Sequence, residues 1–201
     1  MGSCSNPDSS GPNQDPNKKP VLYIYPEEIT DLEIKLNLNN AEFSCIYPKF
    51  NAPNNTWKLK AFPGGDLLIG EKKYPYLFWE AYSYKKRNLT KGFVVRAENA
   101  EKFLEEKLKI LGLNEKESCD FITFWLPVFI RNKISLCSFQ AKEFFDCFQY
   151  DITPKPKSFI RVFCLIKKLD KEIEIEEQKL EEVKREGFTI VEWGGSEEKI
   201  K

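Results

Sequence analysis

Alternation of apolar and polar side chains dominates the first half of the chain. Leu32, Ile34, Leu36 and Leu38 alternate with polar residues, the pattern of a strand with one buried face. Residues 21–25, VLYIY, are almost continuously apolar and predict a central strand. Residues 42–47 and 56–62 predict two more, divided by the turn-rich NAPNN, and PGGD at 63–66 predicts a tight reversal before residues 67–69. The most aromatic stretch is YPYLFWEAY, residues 74–82, in which five aromatic rings surround one carboxylate, Glu80. Its echo is FTIVEWGG at 188–195, where Glu192 sits beside Trp193. Both stretches predict core strands, with a pairing that brings Trp79 and Trp193 into one core.

After residues 92–96, GFVVR, the period changes. Ala100, Phe103, Leu104, Lys107, Leu108 and Leu111 fall at helical spacing, with Asn99 placed as N-cap and Gly112 as C-cap. Asn114 with Glu117 predicts a capping box that opens a second helix, expected to end by Leu126 because Pro127 disfavours helix before it. Strand 134–139, a short helix around 143–148 and strand 159–166 follow. KEIEIEEQ (171–178) reads as an edge strand and EEVKRE (181–186) as a short charged helix, before FTIVEWGG closes the sheet. The fold class expected is α+β, a mostly antiparallel sheet in the first half with two or three helices packed against it in the second.

Length adds domain organisation to this picture. At 201 residues the chain suits one domain behind a tail: a polar tether over 1–19, a single domain over 20–195 and a frayed end over 196–201. Residues 1–19 contain no periodic apolar side chains and cannot offset the entropy of ordering. Within that tail, Gly2 and Cys4 resemble an acylation site, although Asn6 departs from the myristoylation pattern; the alternatives are a lipoprotein-type Cys4 and an unmodified terminus.

Charge and residue usage exclude several functions. Lys+Arg and Asp+Glu each total 31, so no global field gathers nucleic acid. With no histidine anywhere, Ser-His and Cys-His nucleophile pairs and histidine-containing zinc sites are excluded. The six cysteines include no CxxC spacing, so no metal site is predicted, and those after Cys4 read as reduced, mostly buried side chains. Reduced cysteines favour the cytoplasm; an acylated terminus would add membrane tethering. Gly64-Gly65 and Gly194-Gly195 lack the lysine and helix of a phosphate loop, and no cofactor is expected.

Taken in order, KPVLYIYP, IYPKFN, TWKLKAFPGGDL, YPYLFWEA, KGFVV, LGLNEKESCDFITFWLP, FIRVF and REGFTIVEWGG resemble an uncharacterised family of bacterial and protist proteins, over nearly all of residues 19–195. The resemblance implies one continuous domain behind a variable tail and brings no activity, cofactor or catalytic residue with it.

Two functional readings remain open. Glu80 and Glu192, each beside a tryptophan, are the pair of carboxylates a glycoside hydrolase would need, provided they converge in one cleft. Alternatively they are strand residues paired with Arg96 or Arg161, and the chain is a binding or structural module for a protein or carbohydrate ligand. In that case Tyr76, Trp79 and Trp193 are the binding candidates, with Tyr23, Tyr25, Tyr47 and Tyr74 completing an aromatic platform or serving as core.

Overall fold

In a computed structural model the backbone is described for residues 16–83, 89–139 and 142–198. Gly2, Cys4 and the basic loop 85–87 lie outside the described residues. Eight strands precede the main helices: β1 (Pro16–Tyr25), β2 (Thr30–Leu38), β3 (Ala41–Tyr47), β4 (Thr56–Ala61), β5 (Leu67–Ile69), β6 (Lys72–Tyr74), β7 (Leu77–Ser83) and β8 (Lys91–Arg96). Helices α1 (Ala100–Ile110) and α2 (Glu115–Asn132) lead to β9 (Ile134–Phe139), the one-turn α3 (Lys142–Phe145), β10 (Phe148–Thr153), β11 (Ser158–Lys168), β12 (Glu176–Glu177) and β13 (Thr189–Glu198).

These strands form two sheets. The larger runs β12-β8-β9-β11-β13-β1-β7-β3 and the smaller β10-β2-β4-β5-β6. VLYIY is continuously apolar because β1 is central and buried on both faces. Val21 and Tyr23 point into one core with α1 and α2, while Leu22 and Ile24 point into another with the smaller sheet. The result is three layers: helices, large sheet, small sheet. Alternation in β2 has the expected cause, since Leu32, Ile34 and Leu36 are buried against the large sheet.

Trp79 and Trp193 are both fully buried, but they do not share a core. Trp193 belongs to the helix-side cluster and Trp79 to the sheet-side cluster, because β7 and β13 present their tryptophans to opposite faces of one sheet. Gly195 lets the helix layer come close: a Cβ there would lie 2.5 Å from the Trp125 ring.

Sheet is not confined to the first half. β9, β11 and β13 supply the middle of the large sheet, and β11 pairs parallel with β13 from Ser158↔Thr189 to Lys167↔Glu198. That pairing continues through buried Ser196, so residues 196–198, expected as a loose end, are strand, and so are residues 16–19 of the expected tail, whose backbone pairs with β7 and β13.

Three local expectations are corrected. α2 continues past Pro127 to Asn132. Both Pro127 and Thr123, whose carbonyl the proline cannot meet, are exposed to water, while Trp125 and Phe129 are buried; packing outweighs the missing bond. Asn99 makes no side-chain cap; a 3-10 turn at Ala97–Asn99 enters α1 instead. Residues 169–187 contain only the two-residue β12 and no helix, and form an extended strap that crosses from β11 to β13.

Polar side chains tie that strap down. Glu172 binds Arg96 and Glu176 binds Lys91. The Gln178 side-chain amide accepts from the Phe139 N–H at 2.9 Å and donates to the Phe139 carbonyl at 2.6 Å, standing in for a strand residue.

Candidate functional site

Glu192 follows Ile190 by two residues on β13, and so points to the sheet side with Trp79. Arg161 lies directly opposite it on the parallel neighbour β11. Glu192 is 1% exposed, and both its oxygens are engaged: Arg161 Nε donates to Oε2 at 2.5 Å and the Tyr150 hydroxyl donates to Oε1 at 2.5 Å. Trp79 Nε1 in turn donates to the Tyr150 hydroxyl at 2.7 Å. The Arg161 guanidinium lies over Phe145 at 4.0 Å, Tyr150 at 5.1 Å and Phe159 at 5.3 Å. Burial and the Glu192 charge push the Tyr150 hydroxyl well above its ordinary range, which keeps it protonated as the donor this chain needs. Trp79–Tyr150–Glu192–Arg161 thus stitches β7, β10, β13 and β11, crossing from one sheet to the other.

Glu80 lies elsewhere. It is flanked on β7 by Trp79 and Ala81, both in the sheet-side core, so its own side chain leaves the other face, opposite Cys45. The two carboxylates therefore do not converge in one cleft. Of the two arginines considered as partners, Arg161 holds Glu192, whereas Arg96 holds Glu172 of the strap.

A second buried glutamate occupies the helix side. Glu117 is fully buried and completes the capping box: its backbone N–H donates to Asn114 Oδ1 at 2.9 Å while its Oε2 accepts from the Asn114 N–H at 2.9 Å. Arg185, from the end of the strap, binds it through two nitrogens at 2.7 and 3.2 Å. Close by, the Tyr23 hydroxyl donates to Asp120 at 2.7 Å. Burial and Asp120 raise the Tyr23 hydroxyl; burial and Glu117 raise that of Tyr25. The capping box was legible from Asn114 and Glu117. Arg185 was not, since it lies 68 positions along the chain.

One aromatic surface is not closed over. The buried helix-side core draws on β1, β8, β9, β11 and β13. β7 adds only half-buried Phe78 to it, with Tyr76 just before the strand, and β3 adds nothing. In the β3–β7 register Tyr47 is opposite Phe78, Cys45 opposite Glu80 and Glu42 opposite Tyr82, which puts these six on one face. Tyr47 is 52% exposed and its ring meets Tyr74 edge-on at 5.7 Å, with Lys72 donating to its hydroxyl at 3.1 Å. Tyr76 is half-buried, its ring 5.6 Å from that of Tyr23.

Comparison with known proteins adds one relative. Over 63 residues the chain is 40% identical to a Butyrivibrio fibrisolvens protein described as "Uncharacterized protein in bglA 3'region". The match covers 31% of this chain and 64% of that protein, less than two thirds of its length. No family model matches, and no solved structure does. The similarity agrees with the resemblance to an uncharacterised family and carries no activity.

Open grooves mark the surface of the described residues. One of about 620 Å³ lies between β8, α1 and residues 173–177; one of about 530 Å³ lies on the small sheet among paired charges such as Lys58–Glu33; one of about 380 Å³ follows β3. Neither Glu80 nor Glu192 lines any of them. Among the described residues there is no cluster suited to a metal ion, and no helix long and apolar enough to cross a membrane. Cys137, Cys147 and Cys164 are buried free thiols, whereas Cys45 and Cys119, also expected to be buried, are exposed free thiols.

Proposed function

We propose that the protein is a binding or interaction module that acts through the β3–β7 end of its large sheet. The supporting observation is Tyr47, half in water on a face it shares with Phe78 and Tyr82, in a molecule whose four tryptophans are all fully buried. Rings with a polar tip offer flat apolar area at small entropic cost, which suits either a protein segment or a sugar face. The polar segment ahead of β1 tethers this module, and Gly2 or Cys4 is the position of an acyl anchor; intact-mass measurement on protein purified from its source would show the added acyl chain, and an unshifted mass would remove the anchor.

The binding face is tested by comparing wild type with Tyr47→Ala/Tyr82→Ala, both immobilised, on a glycan array and against extract of the source cells. Ligand retained by wild type and lost by the variant, at an unchanged melting temperature, is the expected result. Equal retention by both would place binding elsewhere.

A further inference from the structure

Sheet edges carry unpaired backbone donors and acceptors, and a fold must deal with each of them. One edge of the large sheet is dealt with here. β12 pairs with Lys91 and Gly92 of β8, and the strap is pinned beside it through Lys91–Glu176 and Arg96–Glu172. In the small sheet, edge strand β6 has three residues, two of them lysine, a combination that discourages further pairing. At the other edge of the large sheet, β3 is seven residues long and pairs on one side with β7; among the described residues no strand pairs with its outer side.

Two features make that side a partner surface. The groove of about 380 Å³ along it is lined by Phe43, Ser44, Cys45, Ile46, Lys49 and Phe50, so an added strand would find main-chain partners and an apolar slot together. Its charges are also self-complementary. Exposed Glu42 and exposed Lys49 stand at the two ends of an uncharged run, FSCIYP, and neither makes an ion pair among the described residues. A strand of the same sequence, turned antiparallel about the middle of that run, between Cys45 and Ile46, sets Glu42 beside the partner's Lys49 and Lys49 beside the partner's Glu42.

We infer that the outer edge of β3 is a self-association surface on which a second copy of this chain adds its own β3 in antiparallel, two-fold fashion. The inference rests on the reading of the β3–β7 end as the interaction face and specifies the partner. Such pairing is isologous: each β3 edge is consumed by the other, so the assembly closes as a dimer instead of growing into a fibre. The bulge between Phe43 and Cys45 twists the edge, and one short strand and groove bury less than the roughly 1,200 Å² of a standard interface, so the dimer is weak and concentration-dependent.

Charge reversal tests this. Sedimentation equilibrium of the full chain should show dimer rising with concentration. Glu42→Lys and Lys49→Glu should each weaken association about tenfold or more, because each reversal acts twice across the two-fold, and the combined Glu42→Lys/Lys49→Glu swap should restore it. In a Cys4→Ser/Cys119→Ser background, a short bis-maleimide should link Cys45 to the partner's Cys45, and Cys45→Ser should abolish the link. Cys4 is outside the described residues and the other four positions are exposed, so melting temperatures near that of the parent confirm intact folds. A wild type that stays monomeric at every concentration, or single reversals that leave association unchanged, would overturn the dimer. If ligand retention on the immobilised protein still depends on Tyr47 and Tyr82 in that case, the binding face survives and only the self-pairing fails.

Discussion

The two sides of the large sheet bury one glutamate each, and they do so differently. On the small-sheet side Glu192 sits at mid-strand with every partner supplied by another strand, Arg161 from β11 and Tyr150 from β10. On the helix side Glu117 sits in the first turn of α2, where its own helix supplies a backbone N–H and Arg185 lies 27% exposed. The first carboxylate depends wholly on tertiary structure. The second is half-satisfied by local structure, and its arginine can turn to water. Equal burial therefore predicts unequal consequences when each is changed.

The largest effects belong to the tryptophans that anchor the two cores. Trp79→Ala and Trp193→Ala should each cost about 3–5 kcal/mol in urea unfolding, because each leaves a large cavity. Since they lie in separate clusters, the gentler Trp79→Phe and Trp193→Phe should combine additively to within about 0.5 kcal/mol. A larger coupling would mean that the cores communicate through the sheet.

Next come the glutamates. Glu192→Ala leaves Arg161 buried without its counter-charge and should cost about 3–5 kcal/mol. Glu117→Gln keeps the capping geometry, which tolerates glutamine, and should cost nearer 1–2 kcal/mol. Equal losses in chemical denaturation would erase the contrast between them.

Smaller still is an alkaline effect present on both sides. Tyr150 on one side and Tyr23 and Tyr25 on the other have hydroxyls raised above the ordinary value of 10.0. A raised acid favours the protonated native state, so this stability is complete below about pH 10 and is lost as pH rises beyond it. Tyrosinate absorbance should show these three titrating late, together with unfolding; three early titrations would contradict the burial. Smallest is the effect of reductant. The described cysteines are free thiols, so the melting temperature should not move, and a marked drop would reveal a disulfide.

How legible was this in the sequence? Alternation in β2, the continuous apolar run of β1 and the Asn114–Glu117 box were, because each is a local pattern answered by a local cause. The sheet order was not, since β11 and β13 pair in parallel across a strap, and of its KEIEIEEQ alternation only Glu176–Glu177 pairs as an edge strand. Both its isoleucines line the open groove beside β8 and α1, with Ile173 41% exposed, so the period did not report a buried face. Glu80 and Glu192 were legible as candidates, and Arg161 as a possible counter-ion. Which face each glutamate takes depends on the placement of its strand's tryptophan, and that is set by register with distant strands. Tyr150, the hinge of the sheet-side network, carries no local mark at all.

The claim that Glu192 and Arg161 form one structural unit is tested most directly by a double-mutant cycle on Glu192→Leu and Arg161→Met. Each single change strands a buried charge and should cost about 3–5 kcal/mol, while the double removes both charges and should cost clearly less than the sum, a coupling of about 2 kcal/mol or more. Additive losses, or a Glu192→Leu protein that unfolds like the parent, would contradict the structural role and return Glu192 to the candidates for chemistry.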